Sequence, residues 1–268
     1  MIGYLKTLIS EFWLSCKVSV SSVLCFGSWQ AFVAQVLVEP VLDTLLYLML
    51  AWAVASSGPA EETAAALAAA VAACAMKTID VTSNIFMIDR YYGTLPHVLG
   101  ASGRTGTLVA ARLACGCAIG FLSCLSSLGV LGALGMLSGL GAQGFASLAA
   151  LVLATCIVGA VLGLFVYAVS LTGKDELLVL NVAGYVLPLA CGSVAAVSSY
   201  PAPLAALCNL VPVSGLTEAA RLVGTGAVPA VVAASLGAAA VWLVAAVVVL
   251  RVGVRRQCSS GTVDVLAL

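Results

Sequence analysis

Four ionisable side chains stand inside long apolar stretches: Glu39 and Asp43 in one, Lys77 and Asp80 in the next. At mid-bilayer a charged side chain costs at least about 2.5 kcal/mol, so such groups are normally paired or face water. Asp43 and Lys77 each lie about ten residues from the same end of their stretches, or roughly 15–16 Å at the helical rise. Antiparallel neighbours therefore predict an Asp43–Lys77 pair, with Asp80 on the face that also carries Lys77 and Asn84. Two roles fit the group. One is an ion pair fastening two helices together, and the other is a polar cluster facing a path through the membrane.

Other chemistry is thinly represented. His97 is the single histidine of the chain, too few for most metal centres. Gly100-Ala101-Ser102-Gly103 is similar to the serine motif of rhomboid-type proteases. Such an enzyme places its histidine on a second membrane helix, whereas His97 shares the polar segment with Ser102. The ten cysteines are scattered, mostly in apolar runs, as small buried hydrophobes are. Cys115 and Cys117 point to nearly opposite helix faces. Cys191 with Cys208 is the one pair placed for a disulfide. No G-x-x-x-x-G-K-[ST] sequence occurs, and Gly173-Lys174-Asp175 has the wrong context, so no nucleotide-phosphate cradle is expected in this chain.

The elements that must position these groups are membrane helices. Apolar residues make up 63% of the 268, and charged residues 8%, against about 25% in soluble domains. A soluble enzyme and a disordered chain are excluded. A nucleic-acid binder is excluded as well, because 11 Lys+Arg are matched by 11 Asp+Glu. Long continuous apolar runs argue for helices over a membrane β-barrel.

The expected fold class is an all-α polytopic membrane protein with six spans: Val33–Ala55, Ala64–Ile88, Leu108–Met136, Phe145–Leu171, Leu177–Ser198 and Val228–Arg251. Residues 1–30, with Ile2, Leu5, Leu8, Ile9, Phe12 and Trp13 near helical spacing, read as an amphipathic interfacial helix. They lack the single apolar core and cleavage site of a signal peptide. One membrane domain thus covers residues 1–254, with its six spans over 33–251, and 255–268 form a short cytoplasmic tail. With the N-terminus inside, Lys6, Lys17, Arg90, Arg104, Arg112, Lys174, Arg251, Arg255 and Arg256 all lie at the inner face. Arg221 alone lies outside and Lys77 within a span, so both termini are cytoplasmic in a multi-pass cell-membrane protein.

Between the last two spans, Pro212–Arg221 reads as a short helix touching or dipping into the outer leaflet. Glu218 and Arg221, three apart, can pair on its polar face. The first outer loop carries Glu61 and Glu62. Gly116/Gly120, Gly135/Gly139 and Gly159/Gly163 are G-x-x-x-G pairs that suit close helix packing within the chain.

The inner segment from Asp89 to Arg112 reads DRYYGTLPHVLGASGRTGTLVAAR. It resembles the corresponding loop of type-2 ABC transporter permeases at Asp89, Arg90, Gly93, Thr94, Leu95, Leu99, Arg104 and Arg112. Pro96 stands where that family usually has Glu. Downstream, GLFVYAVSLTGKDELLVLNVAGYVLPL and VPVSGLTEAARLVGTG are similar to the family's later passages. The resemblance implies a half-transporter, in which two copies or two similar subunits form the pore. A separate ATPase subunit, carrying ATP and Mg, docks on each, and this chain binds no cofactor and is not itself an enzyme. It also implies export across the bacterial plasma membrane.

The loop has the parts a docking lever needs. Gly93 permits a tight turn, Pro96 suits the first turn of a helix and Gly100 can end it. Tyr91, Tyr92 and Leu95 offer contact area, while Asp89 and Arg90 set register. The competing reading of the same residues is an interfacial anchor. A polysaccharide path leans on aromatics, and 7% of this chain is aromatic. A small peptide or hydrophobic drug is the expected substrate. The reading from another class is a non-transporting membrane scaffold or assembly factor, which needs neither in-span charges nor a patterned loop.

Overall fold

The computed structural model describes residues 2–22, 28–54, 59–92, 105–173, 176–223 and 227–260, and every regular element among them is helical. Helix α1 spans Ile2–Ser22. Helices α2 (Trp29–Phe32) and α3 (Glu39–Val54) are joined by a π-helical turn, Val33–Val38. Then follow α4 (Pro59–Tyr91), α5 (Thr105–Ala133), α6 (Ala142–Ser170) and α7 (Glu176–Ala190). A 3-10 turn (Val197–Ser199) and the short α8 (Ala202–Cys208) and α9 (Pro212–Arg221) lead to α10 (Val228–Ser260). Five helices are long and apolar enough to cross a membrane: Trp29–Ala53, Glu62–Ile88, Gly106–Ala133, Ala142–Ser170 and Val228–Arg256. That is the make-up of a multi-pass membrane protein.

The expected fifth span differs. Leu177–Ser198 was expected to be one crossing, but α7 stops at Ala190 with 15 residues. That is about 22 Å of helix, short of a hydrocarbon core of about 30 Å. Gly192 causes the stop. It adopts φ +71°, and Gly192 N donates to Leu189 O while Ser193 N reaches Pro188 O. This is the Schellman closure, which a residue with a Cβ enters only with strain. Gly135 (φ +77°) ends α5 in the same way, with Met136 N donating to Leu131 O. Elsewhere most helices begin before the expected spans, and α4 and α10 also run past their expected ends. Glu61 and Glu62 fall in the first turn of α4 instead of a loop, where acids suit the helix dipole. Arg255 and Arg256, expected in the tail, continue α10, and residues 261–268 lie outside the described residues.

Helix α4 is the axis of the bundle, packing on α3, α5, α6 and α9. From Ala65 to Ala75 no residue is more than 5% exposed. An alanine-rich helix presents small side chains on every face, which lets neighbours approach on all of them. Two glycine pairs exploit this. A Cβ on Gly116 or Gly120 of α5 would collide with Thr82 or Thr78. A Cβ on Gly163 of α6 would sit 2.7 Å from Ile79 O, and one on Gly159 2.9 Å from Thr78 Cβ. Thr78 and Thr82 are therefore gripped from both sides, and Ser83 Oγ donates to Gly163 O at 2.9 Å across the contact. The third expected pair is no packing motif, because a Cβ on Gly135 or Gly139 meets nothing within 4 Å.

Helix α1 lies along α5, where Cys115 Sγ approaches Cys16 O at 3.7 Å. Ile9, Trp13 and Leu14 on it are more than half exposed.

Candidate functional site

The clamping of α4 fixes the direction of its polar face. Thr78 and Thr82 are committed to α5 and α6, so Lys77, Asp80 and Asn84 turn toward α3 and α7. Lys77 is 4% exposed, and its Nζ lies 2.7 Å from Glu39 Oε2 and 3.7 Å from Asp80 Oδ2. Asn84 Nδ2 donates to Asp80 Oδ1 at 2.9 Å. The expected Asp43–Lys77 pair is corrected: Glu39 holds the lysine. Counting residues fixes depth only to within a turn, Glu39 and Asp43 are one turn apart, and the glutamate arm is one methylene longer.

The local geometry around Glu39 follows from Pro40. Proline carries no N–H for the carbonyl four residues back, and its ring crowds that carbonyl. The helix widens here instead of breaking, and Glu39 N donates to Ala34 O in the π pattern. Pro40 O accepts from Thr44 Oγ1 at 2.7 Å and from Ser127 Oγ at 3.1 Å, which pins the widened turn to α5.

Glu39, Asp43, Lys77 and Asp80 line one cleft of about 570 Å³, walled by Tyr47 of α3 and Tyr185 of α7. Three carboxyl groups thus line the cleft with one ammonium, which Glu39 and Asp80 contact. The side chains of Glu39 and Asp80 stay 49% and 53% exposed. Tyr185, 79% exposed, was not anticipated as part of the cleft. A tyrosine in mid-span was the available signal. Chemically the arrangement can pair, attract or pass positive charge.

Beyond the end of α7, a second polar group forms, and the expected Glu218–Arg221 pair is corrected with it. Glu218 Oε1 accepts from Val197 N at 2.7 Å, and Arg221 Nη2 donates to Gly192 O at 3.0 Å. Thr217 Oγ1 donates to Cys191 O. Arg221 and Thr217 are drawn to the turn because a helix end leaves its last carbonyls to be satisfied, while Glu218 takes the N–H that opens the Val197–Ser199 turn. Helix α9 is packed into the bundle against α4, α6 and α10. Cys191 and Cys208 are both buried free thiols.

Of the docking loop, Asp89, Arg90 and Tyr91 form the last turn of α4, and Tyr92, 62% exposed, follows it. Gly93, Thr94, Leu95, Pro96 and Leu99 lie outside the described residues, as do His97, Ser102 and Arg104. Arg112 is 2% exposed, with its guanidinium carbon 5.2 Å from the Phe86 ring centroid, and Phe86 stacks on Tyr167. Among the described residues no cluster of His, Cys, Asp or Glu could hold a metal ion. No protein-family profile, curated protein or solved structure matches the chain.

Proposed function

We propose that this chain is the membrane subunit of an ATP-driven exporter of the type-2 ABC class, working as a pair around a central path. The observation that carries the reading is the half-open acidic cleft. Glu39 and Asp80 leave about half their side chains uncovered at mid-span, on a face where hydrocarbon would make them costly. A second copy or similar subunit facing the same cleft encloses these acids in a shared aqueous path. The exposed apolar side chains beside them, Leu42, Leu46 and Met49 on α3 and Val182, Val186 and Leu189 on α7, supply the contact surface between copies.

In this reading α7 is a fifth crossing whose shortness is met by local thinning of the bilayer, α8 and α9 fold back beneath the outer face, and α10 returns as the sixth. Both termini then lie in the cytoplasm, together with nine of the basic residues. The Asp89–Leu99 segment at the end of α4 receives the ATPase. Because α4 is gripped by its neighbours along its length, a push on that end moves α5, α6 and the Lys77 cluster together. The expected cargo is a small peptide or hydrophobic drug.

A cysteine scan of the cleft tests this. In a chain whose native thiols are replaced, Tyr185→Cys should react with a membrane-impermeant thiol reagent and cross-link to a second copy with a short bifunctional maleimide. A lipid-facing scaffold would show neither reaction, and that result would end the proposal.

A further inference from the structure

A second cavity lies away from the acidic cleft. It holds about 540 Å³ where the end of α4, the start of α5 and the end of α10 meet, within the size range of small-ligand sites. Its walls are hydrocarbon: Val109 and Leu113 on α5, Leu243, Val247 and Leu250 on α10. Its charged lining is cationic, from Arg112, Arg251 and Arg255, with Tyr167 beside them, and no acidic side chain is among the described residues that line it. Arg251 and Arg255 are one turn apart and exposed, so their guanidinium groups emerge on the same side of α10. Arg112 is held at the base against Phe86. Among the described residues nothing lies within 4 Å of a Cβ built on Gly106 at the rim.

We propose that this groove is a binding site for one anionic phospholipid. Its acyl chain lies between α5 and α10, and its phosphate is held by Arg251 and Arg255. Two properties select that occupant. Apolar walls this long reward burial of hydrocarbon, which a free phosphate or nucleotide does not offer. Guanidinium groups match phosphate oxygens in bidentate fashion, and no described acid lines the groove to hold the ammonium of a zwitterionic headgroup. Basic pockets between membrane helices bind anionic headgroups in this way. The site needs only that the bundle sits in a bilayer, so it stands whether or not the chain is an exporter subunit.

The test uses the purified full chain in detergent, titrated with phosphatidylglycerol or phosphatidylcholine and followed by native mass spectrometry. One phosphatidylglycerol should be retained about tenfold more tightly than phosphatidylcholine, and Arg251→Gln with Arg255→Gln should erase that preference, as loss of hydrogen bonds to a charged group does. Ala110→Trp, which fills the groove from an exposed position, should lose the bound lipid with both arginines intact. If it fails to fold, Val247→Trp serves instead. Millimolar inorganic phosphate should not displace the lipid. Three results would each overturn the proposal: an unchanged preference in the folded arginine variant, an unchanged lipid in the filled groove, or displacement by phosphate alone.

Discussion

Glu39→Gln probes the contact on which the acidic cleft is built. Lys77 is 4% exposed and pairs with Glu39 at 2.7 Å, with Asp80 a more distant 3.7 Å away. Removing one partner of a fully buried pair costs about 3–5 kcal/mol. Glu39 is 49% exposed and Asp80 retains part of the compensation, so the expected loss is reduced to about 2–3 kcal/mol. In a chain of this size that lowers Tm by about 5–10 °C. Asp43→Asn, which removes no contact to the lysine, should stay within about 0.5 kcal/mol. Adding Lys77→Met to Glu39→Gln removes the stranded ammonium and should recover most of the loss, a coupling that additive effects would not produce. Thermal unfolding in detergent, followed by a thiol-reactive dye that reports the buried cysteines, reads these chains together with Lys77→Met alone, which completes the cycle. If Asp43→Asn is as damaging as Glu39→Gln, or if the double variant is the sum of its parts, the reasoning about this pair is refuted.

Other expectations follow from the packing. Gly163→Ala puts a Cβ 2.7 Å from Ile79 O and should cost about 1–3 kcal/mol, whereas Gly139→Ala, with open space around it, should be silent in the same melt. Gly192→Ala forces a Cβ into the left-handed region at φ +71° and should cost about 1–2 kcal/mol. Arg221→Gln should lower stability by about 1–2 kcal/mol by weakening the charge-assisted bond to Gly192 O. Combining it with Gly192→Ala should give less than the sum, because both act on one turn.

What was legible in the sequence, and what was not, divides along physical lines. Apolar run length located the long helices, because a membrane helix must satisfy its own backbone over a fixed thickness. The G-x-x-x-G spacing pointed correctly to close contacts at Gly116/Gly120 and Gly159/Gly163. It could not show that both pairs converge on Thr78 and Thr82, since the partner helix is a tertiary fact. Gly135/Gly139 has the same spacing and no contact, which only the Schellman turn at Gly135 distinguishes. Glu39, Asp43, Lys77 and Asp80, grouped from the sequence because lipid penalises each of them alone, line one cleft. Choosing Glu39 over Asp43 needed the π turn at Val33–Val38 and the reach of each side chain. Gly192 was visible but sat inside an apolar run, and hydropathy does not register a left-handed backbone. Arg112 was noted as the basic residue opening a span, yet its burial on Phe86 depends on α4 and α6 meeting beside it.

In the proposed function an ATPase drives this chain through the Asp89–Leu99 loop. ATP hydrolysis by any Walker-motif protein found encoded beside this chain, reconstituted with it in liposomes, tests that coupling. Hydrolysis should rise when the wild-type chain is present and return to the basal rate with the Arg90→Glu, Leu95→Asp variant, which no longer retains the ATPase. A folded wild-type chain that neither binds the ATPase nor changes its rate, or a variant that stimulates as well as wild type, would contradict the account.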